Sequence, residues 1–151
     1  MISIDELKNN LGEFWIPTIY ADKIRSNRTR ALSMNIPEKP NAPEILHTLL
    51  GVELKVGKQR ISCPDLSTAR YLQVFTRIGV RDVAIPYDIS RISTLADDLE
   101  TGWQRMALLL ADEPARTRNA SIKSVREAIN EIGAGEVMPA FDTPTRQRTA
   151  K

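Results

Sequence analysis

Residues 52–63, VELKVGKQRISC, permit few arrangements. Apolar and polar residues alternate on both sides of Gly57-Lys58, a Gly-X pair suited to a two-residue hairpin turn. Such a turn fixes the register: Val56 opposes Gln59, Lys55 opposes Arg60, Leu54 opposes Ile61 and Val52 opposes Cys63. Side chains alternate faces along a strand, so a slip of one residue would invert the whole pattern. Val52, Leu54, Val56, Ile61 and Cys63 therefore belong to the buried face, and Glu53, Lys55, Arg60 and Ser62 to the wet one.

The segments around this hairpin follow other periods. Ser3 and Glu6 form a capping box ahead of Ile4, Leu7, Leu11 and Phe14, which predicts a first helix over 3–15. Pro17 suits the first turn of a second short helix. RALSMNI, residues 30–36, alternates as a strand. Asn41, Pro43 and Glu44 read as the start of a helix with the stripe Ile45, Leu46, Leu49 and Leu50, stopped at Gly51. Asp65 opens a helix whose stripe is Leu66, Ala69, Leu72, Phe75 and Ile78, stopped by Gly79. Val83, Ala84 and Ile85 form a buried strand, with Pro86 expected to end its pairing. Helices over 91–111 and 121–132 follow, separated by the loop DEPARTRN. In the first of these Gly102 beside Trp103 suits close packing.

Residues 30–86 thus spell β-α-β-β-α-β, which predicts an α+β fold with a ferredoxin-like core and flanking N-terminal and C-terminal helices. A single domain over 1–133 and a disordered basic tail over 134–151, carrying Arg146, Arg148 and Lys151, are expected.

Composition removes several chemistries. One cysteine excludes an internal disulfide, and one cysteine with one histidine excludes a Cys/His zinc site within the chain. A Ser-His-Asp triad could use only His47. No apolar run approaches the roughly 18 residues of a membrane span, and the polar, acidic start is unlike an export signal, so no membrane and a cytoplasmic location are expected. The formal charge is only +2, but 14 of the 21 basic residues are arginine, the side chain best shaped for phosphate.

Basic residues concentrate in four places: Arg25, Arg28 and Arg30; Lys55, Lys58 and Arg60 on the hairpin; Arg70 and Arg77 two turns apart on one helix; and Arg116 and Arg118 before the last helix. If these converge they form a phosphate track for DNA or RNA. This predicts a non-enzymatic binding protein that needs no cofactor. Two other readings remain. The stripe Ile92, Leu95, Leu99, Trp103, Met106 and Leu110 could serve a protein partner or a homo-oligomer. Glu53-x-Lys55, with the strand, helix and strand that follow, resembles the core of metal-dependent nucleases of the restriction-enzyme fold over residues 52–86. That resemblance implies Mg²⁺ held in part by Glu53 and a water or phosphate stabilised by Lys55. The strand at 30–36 carries no acid to complete such a site. Tyr87, Asp88 and Arg91, which follow the buried strand, read as a turn capping the long helix.

Overall fold

The computed structural model of the chain describes residues 1–135. The basic tail read from the sequence lies outside the described residues from 136 onward. Its expected first residue, Ala134, is buried.

The protein is mixed helix and sheet, with two small antiparallel sheets. Helix α1 (Ile4–Leu11) starts on the Ser3–Glu6 capping box, with both reciprocal hydrogen bonds made, and buries Leu7 and Leu11. Helix α2 (Ile16–Ile19) carries Pro17 in its first turn and continues as a wide turn over Tyr20–Ile24. Strand β1 (Thr29–Ser33) ends earlier than its alternation suggests, although Met34 and Ile36 beyond it are buried. It pairs with β5 (Asp82–Pro86). Pro86 is the last paired residue of β5, opposite Thr29.

The second sheet runs in the order β2 (Glu44–Thr48), β3 (Gly51–Val56), β4 (Gln59–Cys63). The β3–β4 register is the one that the Gly57-Lys58 turn dictates, residue for residue. The segment 41–50 corrects the expected helix. Its core is a strand in which Ile45 pairs with Leu54 and His47 with Val52. Ile45 and Leu46 satisfy a helical stripe and a strand equally well over so short a run, and pairing with an already formed β3 decides between them. Leu49 and Leu50, placed by the helical reading on an apolar stripe, form the turn between β2 and β3 and are exposed.

The ferredoxin-like order therefore fails at its first helix. Two of its pairings are present, β1 with β5 and β3 with β4, but among the described residues β1 does not pair with β4.

Helix α3 (Leu66–Ile78) joins the two sheets. Asp65 caps its start and Gly79, at φ 94°, ends it. Thr68, Tyr71, Val74 and Thr76 are buried as well as the predicted stripe from Ala69 to Ile78, so the helix is covered on several sides. Leu66 alone of that stripe is exposed. The inner face of the three-stranded sheet covers one side, and helix α4 (Ile92–Leu109) covers another. Arg70 ties α3 to α4 through Asp97 and Glu100. Gly102 lets α4 approach the turn before α2; a Cβ there would lie 2.5 Å from the Phe14 carbonyl oxygen. Helix α5 (Ala115–Ile132) begins six residues before the predicted helix, so Arg116 and Arg118 lie inside its first turns.

Among the described residues, strand β5 pairs with a strand on one edge. On the other edge, two tyrosine hydroxyls replace a strand. Tyr20 accepts from the Ala84 N–H (3.1 Å) and donates to the Gly133 carbonyl (3.0 Å), while Tyr71 donates to the Ala84 carbonyl (2.5 Å). A buried backbone group left without a partner would cost about 1–3 kcal/mol, so this pair of hydroxyls lets a two-stranded sheet sit inside the core.

Candidate nucleic-acid interface

The Pro-rich loop between β1 and β2 is anchored on the C-terminus of α3. The last carbonyls of a helix have no partner within it. Here Asn41 donates its backbone N–H to Arg77 (3.2 Å) and its amide to Thr76 (3.0 Å) and Pro37 (3.1 Å). Arg126, buried on α5, donates to Ile78 (2.9 Å) and brings its charge to the negative end of the helix. A Cβ on Gly79 would fall 2.5 Å from the Lys39 backbone oxygen, so the loop lies directly on the helix stop. Lys39 is thereby presented from a fixed backbone.

Between this loop and the Gly57-Lys58 turn lies a groove of about 470 Å³. Lys39, Lys58 and Arg81 line it, with the amides of Asn35, Asn41 and Gln59 and an apolar floor of Ile36, Pro37 and Val56. Among the described residues no carboxylate lines it. Glu38 stands nearby and meets Arg81 at 3.7 Å, with both side chains about half exposed, a distance at which solvent screens most of the attraction. Three cations and the side-chain amides of Asn35 and Gln59 along one concave space suit an anion, while the Asn41 amide is spent on the Thr76 and Pro37 carbonyls.

The predicted basic positions do not converge. Lys58 lines the groove, and Lys55 and Arg60 stand on the outer face of the same hairpin. Arg60 meets Glu53 at 3.1 Å. Arg70 is committed to Glu100 and Asp97, whose hydrogen bonds raise its pKa still further above the ordinary arginine range. Arg77 lines a different depression beside Trp103. Arg25 donates to Thr29 (2.9 Å), Arg28 lies over the Tyr87 ring at 5.0 Å, and Arg30 is exposed on β1. Arg116 is exposed and Arg118 donates to the Glu113 carbonyl. Arg25 packs near Gly135, past the end of α5, whereas Arg116 and Arg118 start that helix. An 18-residue helix is about 27 Å long, which keeps the two clusters apart. Lys39 and Arg81, by contrast, belong to none of the basic clusters in the sequence, yet they line the groove with Lys58. Each is isolated among unlike residues in the sequence, and only the folding of the 35–41 loop against the hairpin brings them to Lys58.

Glu53 and Lys55 share the outer face of β3, as alternation requires. Glu44 sits across from Lys55 on β2, not on a helix. The residues do not fit a nuclease metal centre: an oxygen of Glu53 is bound to Arg60, and among the described residues no three His, Cys, Asp or Glu side chains gather to hold a metal. His47 is exposed on β2 instead of lying on a helix. Cys63 is buried at the end of β4; burial first, and Asp65 second, push its thiol pKa up. Asp88 accepts from the Ser90 backbone (3.1 Å) and hydroxyl (2.6 Å), bonds that hold its carboxyl below the usual value and cap the turn into α4.

The apolar stripe of α4 faces inward. Ile92, Leu95, Leu99, Met106 and Leu110 are buried in the chain's own core, which leaves Trp103 half-buried and Leu108 exposed. No helix among the described residues is long and apolar enough to cross a membrane. The chain matches no known protein family, no curated protein and no solved structure.

Proposed function

We propose that the protein binds nucleic acid through its phosphate backbone, in the groove formed by Lys39, Lys58 and Arg81. The observation that carries this reading is a concave, amide-lined site with three cations and, among the described residues, no lining carboxylate, set on a loop fixed by α3. Among the described residues no aromatic side chain lines the groove to stack a base. Binding is therefore tolerant of sequence and governed by salt. If three phosphates are neutralised on duplex DNA, affinity falls about 40-fold between 50 and 200 mM salt.

Fluorescence anisotropy with labelled duplex DNA and single-stranded RNA at those two salt concentrations, with Mg²⁺ present, tests the reading. The proposal expects salt-sensitive binding, intact nucleic acid after incubation, and a large loss in Lys39→Ala combined with Lys58→Ala. Cleavage that disappears in Glu53→Gln would replace it with the nuclease reading. Failure to bind either nucleic acid at low salt would remove it.

A further inference from the structure

The last carbonyls of α3 are satisfied from three directions. Phe75 accepts from the N–H groups of Gly79 and Val80, both at 2.9 Å, within the turn itself. Thr76 and Arg77 accept from Asn41 on the loop that carries Lys39. Ile78 accepts from Arg126 Nε, which comes from α5, 48 residues away. Arg126 is 8% exposed, and among the described residues no carboxylate stands within ion-pair reach of it. A buried charge without a counter-charge is costly. The negative end of α3 offsets that cost.

Arg126 also reaches the support of the loop. A side-chain carbon on Gly79 would lie 2.5 Å from the Lys39 backbone oxygen, 2.7 Å from the Lys39 nitrogen and 3.0 Å from Arg126 Nε. The Lys39 backbone and the guanidinium thus close on one spot, the bare α-carbon of Gly79. Arg126 does not itself line the groove. The other two groove cations are held elsewhere. Lys58 belongs to the β3–β4 turn, and the Arg81 carbonyl accepts from Met34 at 2.8 Å.

We propose that Arg126 is a positioning residue of the nucleic-acid groove. From α5 it holds the α3 terminus on which the Lys39 backbone rests, so the docking of α5 sets where Lys39 meets phosphate. This rests on the groove being the nucleic-acid site. Coupling of this kind is reciprocal, so phosphate at Lys39 also steadies α5.

Anisotropy on one labelled duplex tests it with the full chain. Arg126→Met keeps bulk but removes the charge and the hydrogen bond. It should behave as Lys39→Ala does: three phosphate contacts become two, and the loss of affinity between 50 and 200 mM salt shrinks from about 40-fold to about 12-fold. Adding Lys39→Ala to Arg126→Met should cost little more, whereas adding Lys58→Ala should cost the same factor as in wild type. Arg126→Lys keeps a cationic donor for the Ile78 carbonyl and should recover most of the binding. Leu99→Ala controls for stability alone, because Leu99 is fully buried on α4 and does not line the groove; its affinity should stay near wild type. A second measurement needs no change at Arg126. The duplex should slow backbone hydrogen exchange in α5 of wild type, and should not do so in Lys39→Ala. Exchange in α5 that ignores the duplex overturns the proposal and leaves the groove reading standing. So does an Arg126→Met protein with wild-type affinity and salt dependence, or one whose loss adds in full to that of Lys39→Ala, or a Leu99→Ala protein that binds as weakly. Wild type that binds no nucleic acid removes both.

Discussion

The two turns at opposite ends of strand β3 are built on opposite chemistry. At Gly57-Lys58 the residues are those a tight hairpin demands, and the side chains beside the turn line the basic groove. At Leu49-Leu50 the residues are poor turn formers, and their side chains stand wholly in solvent. Both turns join antiparallel strands that pack against α3, so the difference does not arise from the sheet. One turn is written for the fold and also serves a site. The other departs from the local rule without an intramolecular gain, and such departures concentrate where a surface has work to do.

Several substitutions would break or sharpen this contrast. The largest effect is expected at Leu54, fully buried on the strand that both hairpins share. Leu54→Ala should cost about 2–5 kcal/mol in urea unfolding, and both hairpins should be lost in one transition. Two separate transitions would mean that the hairpins are independent units. Next comes Gly57, at φ 60°. Gly57→Val should destabilise by about 1–2 kcal/mol, the cost of a side chain in the left-handed region, and should weaken nucleic-acid binding by shifting Lys58. Smaller again is Arg60→Ala, which should cost less than about 1 kcal/mol because its pair with Glu53 is on the surface; added salt should narrow the gap from wild type. The double replacement of Leu49 and Leu50 by serine should change monomer stability by no more than about 0.5 kcal/mol. A loss of several kcal/mol there would show that the tip supports the fold.

A pH titration probes the core around α3. Burial raises the pKa of Cys63, Tyr20 and Tyr71, so each ionises later in the folded chain than in the unfolded one. The unfolded state then releases its protons first as pH rises. Stability should be complete below the ordinary thiol value of 9.0 and should fall as pH climbs from there through the folded values. The Cys63 thiol should correspondingly react slowly with a disulfide reagent at pH 8. Rapid reaction would mean that the end of β4 opens readily.

Much of this architecture is written in local pattern. The β3–β4 register, the Ser3–Glu6 box, the Asp65 cap and the Gly79 stop each depend on residues close in sequence, and each is found as the pattern states. In residues 41–50, Asn41, Glu44 and four spaced apolar residues imitate a capped helix, whereas Asn41 instead closes the end of α3, 35 residues away. The site was legible only at Lys58. Its other cations, Lys39 and Arg81, are joined by the path of the 35–41 loop, which no local period encodes. The arginine clusters stand out because they are local, and several of them find partners nearby in sequence: Arg25 at the Thr29 hydroxyl, Arg60 beside Glu53, Arg118 at the Glu113 carbonyl.

The most direct test of the groove's role compares two charge reversals by anisotropy at 50 mM salt on one labelled duplex. Lys58→Glu places a carboxylate inside the groove, and Arg116→Glu places one at the start of α5, outside it. The account predicts that Lys58→Glu lowers affinity at least about tenfold and flattens the salt dependence, while Arg116→Glu leaves both near wild type. Equal losses in the two variants, or a Lys58→Glu protein that binds as tightly as wild type, would contradict it.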